Sequence, residues 1–85
     1  MTDIEALVAE RTTRHGDFND QARIAQALKR AVQCEPTWEM LRDTHREAID
    51  MILHKVARIV AGDPNFHDHW DDIGGYAKIT RDRIQ

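Results

Sequence analysis

Apolar residues along this chain recur every three or four positions, the spacing of a helix with one buried face. No segment carries the period-two alternation of a half-buried strand. Thr2 and Glu5 have capping-box spacing, and Ile4, Leu7 and Val8 then fall on one side of a first short helix. That helix passes Arg11, Thr12, Thr13, Arg14 and His15 and stops at Gly16, a residue suited to a left-handed helix end. Asp17 is placed to cap a second helix, whose buried face is predicted from Phe18, Ala22, Ala25, Leu28 and Val32. Pro36 closes it, because the ring disfavours helical geometry in the residue before.

The third helix is the longest, predicted from about Thr37 to Ala61. Leu41, Ala48, Ile49, Ile52, Leu53, Val56, Ile59 and Val60 form one broad apolar sector on a helical wheel. Asp43, Glu47, Asp50, His54 and Arg58 form a narrow polar stripe opposite, with Met40 and Met51 in or beside it. Gly62-Asp63-Pro64-Asn65 is a strong stop and turn signal, and a fourth helix is predicted from about His67 to Ile84. Four helices with short connections predict one all-α domain over 1–85, a four-helix antiparallel bundle-like fold in which the first helix is the least committed member.

Composition narrows the class further. Eighty-five residues with 41% apolar and 32% charged side chains describe a folded globular domain near the lower size limit for a single core. Association with further copies, as a dimer or tetramer, is the economical way for so short a chain to bury more surface. A net charge of -3 gives no electrostatic reason to expect a nucleic-acid partner. The single Cys34 excludes an intrachain disulfide and a cysteine metal site. No apolar run is long enough for a membrane span and no signal-peptide core is present, so a cytoplasmic protein without membrane contact is expected.

The most unusual stretch is His67–Ala77, with three acids, two histidines, Trp70, Tyr76 and a glycine pair in eleven residues. On the wheel Trp70, Ile73, Ala77, Thr80 and Ile84 share a core face, and Asp68, Asp72 and Gly75 lie opposite with Tyr76 at the edge. Like charges at i,i+4 cost roughly 0.2–0.5 kcal/mol, and a mid-helix glycine costs about 1 kcal/mol against alanine. Two explanations remain open. Either Asp68 and Asp72 hold a hard cation such as Mg²⁺ and the glycines admit a ligand close to the backbone. Or the acids are first-turn residues favoured by the helix dipole and the glycines serve helix packing.

On the third helix, Glu47 and Asp50 are further candidate Mg²⁺ ligands, and Lys55 and Arg58 are candidate anion contacts. The same stripe also reads as a solvated face with internal ion pairs. If the last two helices pair antiparallel, residues near 58 oppose residues near 68, whereas Glu47 and Asp50 lie toward 75–79. His67 and His69 could share a zinc ion only in an irregular turn, since i,i+2 positions on a helix diverge. His45 reads as a hydrogen-bonded histidine on the apolar side. Arg11, Arg14 and His15 can bind phosphate or pair with the acidic helix.

Three blocks also resemble a known group: Arg-x-x-Arg-His-Gly-Asp-Phe (11–18), His-Lys-Val-Ala-Arg-Ile-Val-Ala-Gly (54–62) and Asp-His-Trp-Asp-Asp-Ile-Gly-Gly-Tyr-Ala (68–77). They resemble small phage and prophage proteins associated with nucleotide modification, which look like relatives of the all-α, MazG-like nucleoside triphosphate pyrophosphohydrolases. The resemblance implies Mg²⁺ held by paired acids on two helices, with Glu47 and Asp50 as one pair and Asp68 with Asp71 or Asp72 as the other. This chain departs from that pattern in lacking the doubled glutamates and in carrying only Asp in the second group. The resemblance also implies a dimer or tetramer with sites between helices. The expectation is a Mg²⁺-dependent nucleotide-binding protein of phage nucleotide metabolism whose candidate reaction is pyrophosphohydrolysis of a nucleoside triphosphate, with Glu47, Asp50, Asp68 and Asp72 catalytic and Lys55, Arg58, Gly75 and Tyr76 contacting substrate. The alternative is a non-enzymatic helical oligomer acting as an interaction or regulatory module.

Overall fold

The computed structural model describes residues 3–84, and within them every regular element is helical: α1 (Ile4–His15), α2 (Phe18–Gln33), α3 (Asp43–Ala61) and α4 (His67–Arg81), with a short 3₁₀ helix at Pro36–Met40. The Thr2–Glu5 capping pair lies outside the described residues. Asp17 caps α2 as expected, its Oδ2 accepting from the Asn19 and Asp20 backbone N–H groups at 3.0 and 3.4 Å.

α3 begins six residues later than the pattern predicts. Pro36 starts a 3₁₀ helix, and Leu41 and Arg42 then adopt extended backbone before Asp43 opens the true helix. His45 caps that start: its Nδ1 accepts from the Arg42 backbone N–H at 3.3 Å. Arg46 ties the 3₁₀ turn to α3 by donating to the Trp38 and Glu39 carbonyls at 3.3 and 2.9 Å.

α2, α3 and α4 form the bundle proper, antiparallel in sequence order, while α1 packs against it mainly through its C-terminal end. The buried apolar residues among those described are Ala25, Ala48 and Ala57. Alanine at these crossings lets helix axes come close, and it leaves the larger side chains around the contact half-covered. The α1 residues Ile4, Leu7 and Val8 are exposed, as are Phe18 and Val60, which the periodicity placed on buried faces.

α4 is rotated relative to the predicted wheel. Its inward stripe is His69, Ile73, Tyr76 and Thr80. Trp70, predicted to be core, is 54% exposed and donates from Nε1 to the Pro64 carbonyl at 2.8 Å. The cause is His69, 1% exposed, which is drawn inward by a backbone acceptor on α1. The helix also ends at Arg81, so Ile84 lies beyond it and is exposed. No helix is long and apolar enough to cross a membrane among the described residues.

Candidate anion-binding site

The junction of α1 with the α3–α4 turn is built on two glycines. Gly16 has φ +83°, and a Cβ there would run into the Ala61 backbone. A Cβ on Gly62 would sit 2.5 Å from the Arg14 carbonyl oxygen and 2.6 Å from the Gly16 nitrogen. Two backbones therefore touch where only glycine fits. The contact is fastened at the Arg14 carbonyl, which accepts from the Asp63 backbone N–H at 3.0 Å and lies 3.0 Å from His69 Nε2.

A carbonyl only accepts, so the His69 proton resides on Nε2. His15 Nδ1 lies 3.3 Å from the same nitrogen and is therefore an acceptor, which puts the His15 proton on Nε2. The electrostatics agree. Burial pushes the His15 pKa down to about 4, helped by the nearby positive charges of Arg58, Lys55 and Arg11. His15 is neutral at pH 7. The Phe66 ring packs edge-on against His69 with centroids 4.9 Å apart, and the Arg14 guanidinium stacks on Phe66 at 4.4 Å.

Beside this joint lies a polar cleft of about 480 Å³ between α1, the second half of α3 and the first turns of α4. Arg11, Arg14, Lys55 and Arg58 line it together with Glu10, Asp68 and Asp72. Two of the cations have acidic partners. Lys55, whose side chain is 12% exposed, meets Asp72 at 2.8 Å, and Arg14 meets Glu10 at 3.8 Å. Hydrogen bonding from Lys55 holds the Asp72 carboxyl below the usual range. Among the described residues Arg11 and Arg58 enter no ion pair. Arg58 Nε is buried with no hydrogen-bond partner, and burial together with Arg11 lowers the Arg58 pKa. A buried donor left unmade costs about 1–3 kcal/mol, so this arginine has binding capacity that the chain itself does not use.

The predicted site residues divide. Lys55, Arg58, Asp68 and Asp72 come together in the cleft, as the antiparallel pairing implies. Glu47 is exposed, and Asp50 accepts from Gln33 Nε2 at 3.3 Å on the α2 side of α3. Among the described residues no group of three or more His, Cys, Asp or Glu side chains is placed to hold a metal ion. Within one chain the four acids therefore do not fit as a joint Mg²⁺ site, and His67 and His69 do not fit as a zinc site. Gly75 and Tyr76 lie with Asp71, Asp72 and Ile79 in a second, shallower depression that borders the cleft at Asp72. A Cβ on Gly74 or Gly75 would meet nothing within 4 Å, so no intrachain helix contact accounts for the pair.

Phe66 is the residue that sequence reasoning passed over, and His69 was weighed there only as a zinc ligand. The i,i+2 histidine pair was legible, but only the contact with Arg14 shows which ring turns inward.

A profile of the family described as "Domain of unknown function (DUF6378)" matches residues 1–84. The chain belongs to the DUF6378 family. No curated protein and no solved structure matches it. The glycine joint and the cleft of this DUF6378 domain draw on α1, α3 and α4, which all fall inside the matched span.

Proposed function

We propose that the cleft binds the phosphate groups of a nucleotide, with Arg11, Arg14 and Arg58 as the anion contacts and Lys55 released to the ligand from Asp72. The observation that carries this reading is Arg58, a half-buried arginine whose buried Nε–H is unused, in a cleft that already contains three other cations. Arginine presents several donors in a planar fork that matches phosphate oxygens. The His15 proton on Nε2 adds a neutral donor to the same cluster. About 480 Å³ is ample for a di- or triphosphate. The likeness of blocks 11–18, 54–62 and 68–77 to phage nucleotide-modification proteins, and through them to MazG-like enzymes, points to nucleotides over other phosphate esters. Binding is the proposed activity. Mg²⁺ enters only as the counter-ion that a polyphosphate brings, with Asp68 and Asp72 at the wall of the cleft.

Calorimetry with pyrophosphate and with nucleoside mono-, di- and triphosphates, each with and without Mg²⁺, tests this. Arg58→Ala removes at least one charge-assisted hydrogen bond of about 1.5–3 kcal/mol and should weaken binding by about tenfold or more. Asp72→Asn frees Lys55 and should tighten binding if phosphate is the target, but should abolish it if Asp72 is a required metal ligand. No heat with any of these ligands at low salt refutes the proposal.

A further inference from the structure

A second hollow adjoins the cleft. It holds about 390 Å³ between α1 and the start of α2, and Arg11, His15 and Arg58 border both spaces. Its remaining walls, Val8, Thr12, Gly16, Phe18 and Gln21, take no part in the cleft, and no carboxylate lines it. Phe18, which the periodicity placed inside, is 72% exposed at the start of α2. Gln21, one turn on, is a polar residue only 5% exposed. Its Nε2 donates to the His15 carbonyl at 3.3 Å, and since a carbonyl only accepts, that contact fixes which way the amide faces. Oε1 accepts nothing among the described residues, and it is not sealed from solvent as Arg58 Nε is. We propose that this hollow holds the nucleobase of the ligand whose phosphates occupy the cleft, stacked on Phe18 and read by the Gln21 amide. The assignment rests on the phosphate reading of the cleft.

The two spaces divide as a nucleotide does, into a charged end and a flat uncharged ring. The cleft has four cations, whereas the hollow beyond Arg11 and Arg58 is walled by an aromatic ring, an aliphatic side chain, a hydroxyl and an amide. An aliphatic occupant would seal the Gln21 amide off with its Oε1 unpaired, which is costly. A phenyl ring would do the same. A nucleobase carries a donor beside an acceptor on its edge, the pattern that a glutamine amide meets with two hydrogen bonds. An exposed aromatic ring is a stacking platform for any base, and the two border guanidiniums add cations to the ring's surroundings. The volume lies in the usual range for a small-molecule pocket. The amide pair suits the edge of every base, so the decisive comparison is between ligands with and without one.

Calorimetry on the full chain makes it. Ribose 5-phosphate has the phosphate and sugar of AMP and UMP but no base, and pyrophosphate reports on the cleft by itself. At least one of the two mononucleotides should bind about tenfold tighter than ribose 5-phosphate. Phe18→Ala should remove most of that advantage and leave pyrophosphate binding unchanged; the side chain is largely exposed, so this variant folds. Gln21→Met, which keeps the volume and loses the amide, should also reduce the advantage, with retained pyrophosphate binding as the sign of an intact fold. Ribose 5-phosphate bound as tightly as both mononucleotides, with pyrophosphate also bound, overturns the base assignment and leaves the phosphate reading standing. Phe18-dependent binding of adenosine or uridine with no heat from pyrophosphate does the reverse. Nucleotide affinity that survives Phe18→Ala, with a fall in sedimenting mass instead, overturns the assignment in favour of a second copy as the occupant. No heat from any of these ligands overturns both readings.

Discussion

Replacing Gly62 with alanine tests whether the glycine joint assembles the cleft. The added Cβ would lie 2.5 Å from the Arg14 oxygen, 2.5 Å from the His15 carbonyl carbon and 2.6 Å from the Gly16 nitrogen. All three are backbone atoms, so no side chain can swing aside, and α1 must back away by about 1 Å to restore van der Waals contact. That withdrawal stretches both hydrogen bonds at the Arg14 carbonyl and lifts Arg14 from the Phe66 ring. Two hydrogen bonds at about 1 kcal/mol each and one cation–π contact at about 0.5–1 kcal/mol give a loss of about 2–3 kcal/mol. The gain from a stiffer unfolded chain, about 0.4–1 kcal/mol, offsets part of it. Urea unfolding followed by circular dichroism should therefore show a loss of about 1–3 kcal/mol. Amide exchange should report the loss as lower protection over α1, with α2, α3 and α4 retained. Pyrophosphate affinity should fall more than tenfold, because Arg11, Arg14 and His15 leave together. Wild-type stability together with wild-type affinity would refute the close-contact account of the joint.

Gly75→Ala is the opposite case: its Cβ meets open space, so the helix should gain about 0.5–1 kcal/mol, read as a higher urea midpoint. If the same substitution weakens nucleotide binding while raising stability, the glycine is there for the ligand. Acid sensitivity should follow His15. Its folded pKa of about 4 lies below the ordinary 6.5, so between these values the unfolded chain takes up a proton that the folded one refuses. Stability is complete above pH 6.5 and declines as pH falls toward 4. The shift sets a ceiling of about 3 kcal/mol, reduced to about 1–2 kcal/mol by solvent at the ring edge, and His15→Asn should flatten that limb of a pH–stability curve. Pyrophosphate at 100 times its dissociation constant should stabilise the fold by about 2.7 kcal/mol, a thermal shift of about 10–20 °C for a chain this size. An equal shift from sodium chloride at matched ionic strength would reduce the effect to screening.

The helices were readable because a period of 3.6 and a few stop residues are local properties, and Gly16, Asp17 and the Gly62–Asn65 turn act over a few residues. Facing was harder to read. Wheel logic assigns Trp70 inward because it is large and apolar, yet in α4 a backbone carbonyl on α1 outcompetes it by accepting a hydrogen bond from His69. A carbonyl 55 positions away leaves no trace in the local pattern. The start of α3 failed for a related reason. Thr37–Met40 has helical composition, but Pro36 sets a tighter turn and Arg46 then holds that turn by its carbonyls.

The candidate site was half legible for the same physical reason. Lys55 and Arg58 against Asp68 and Asp72 follows from antiparallel pairing across a short turn, which sequence spacing does encode. Arg11 and Arg14 were legible as phosphate contacts or as partners of the acidic helix, but their meeting with Lys55 and Arg58 was not, because it depends on two glycines that let α1 touch the turn. That contact reverses the balance of the site. Viewed on α4 alone, Asp68 and Asp72 form an acidic face that invites a cation. With α1 in place, four cations meet three acids, Asp72 is already neutralised by Lys55, and Arg58 keeps an unmade hydrogen bond. Mutual repulsion and desolvation make such a cluster costly to fold, and an arriving anion relieves both. Charge placed where it destabilises the empty protein is charge available for binding, and here its sign is the reason the proposal takes an anion, and not a metal, as the ligand.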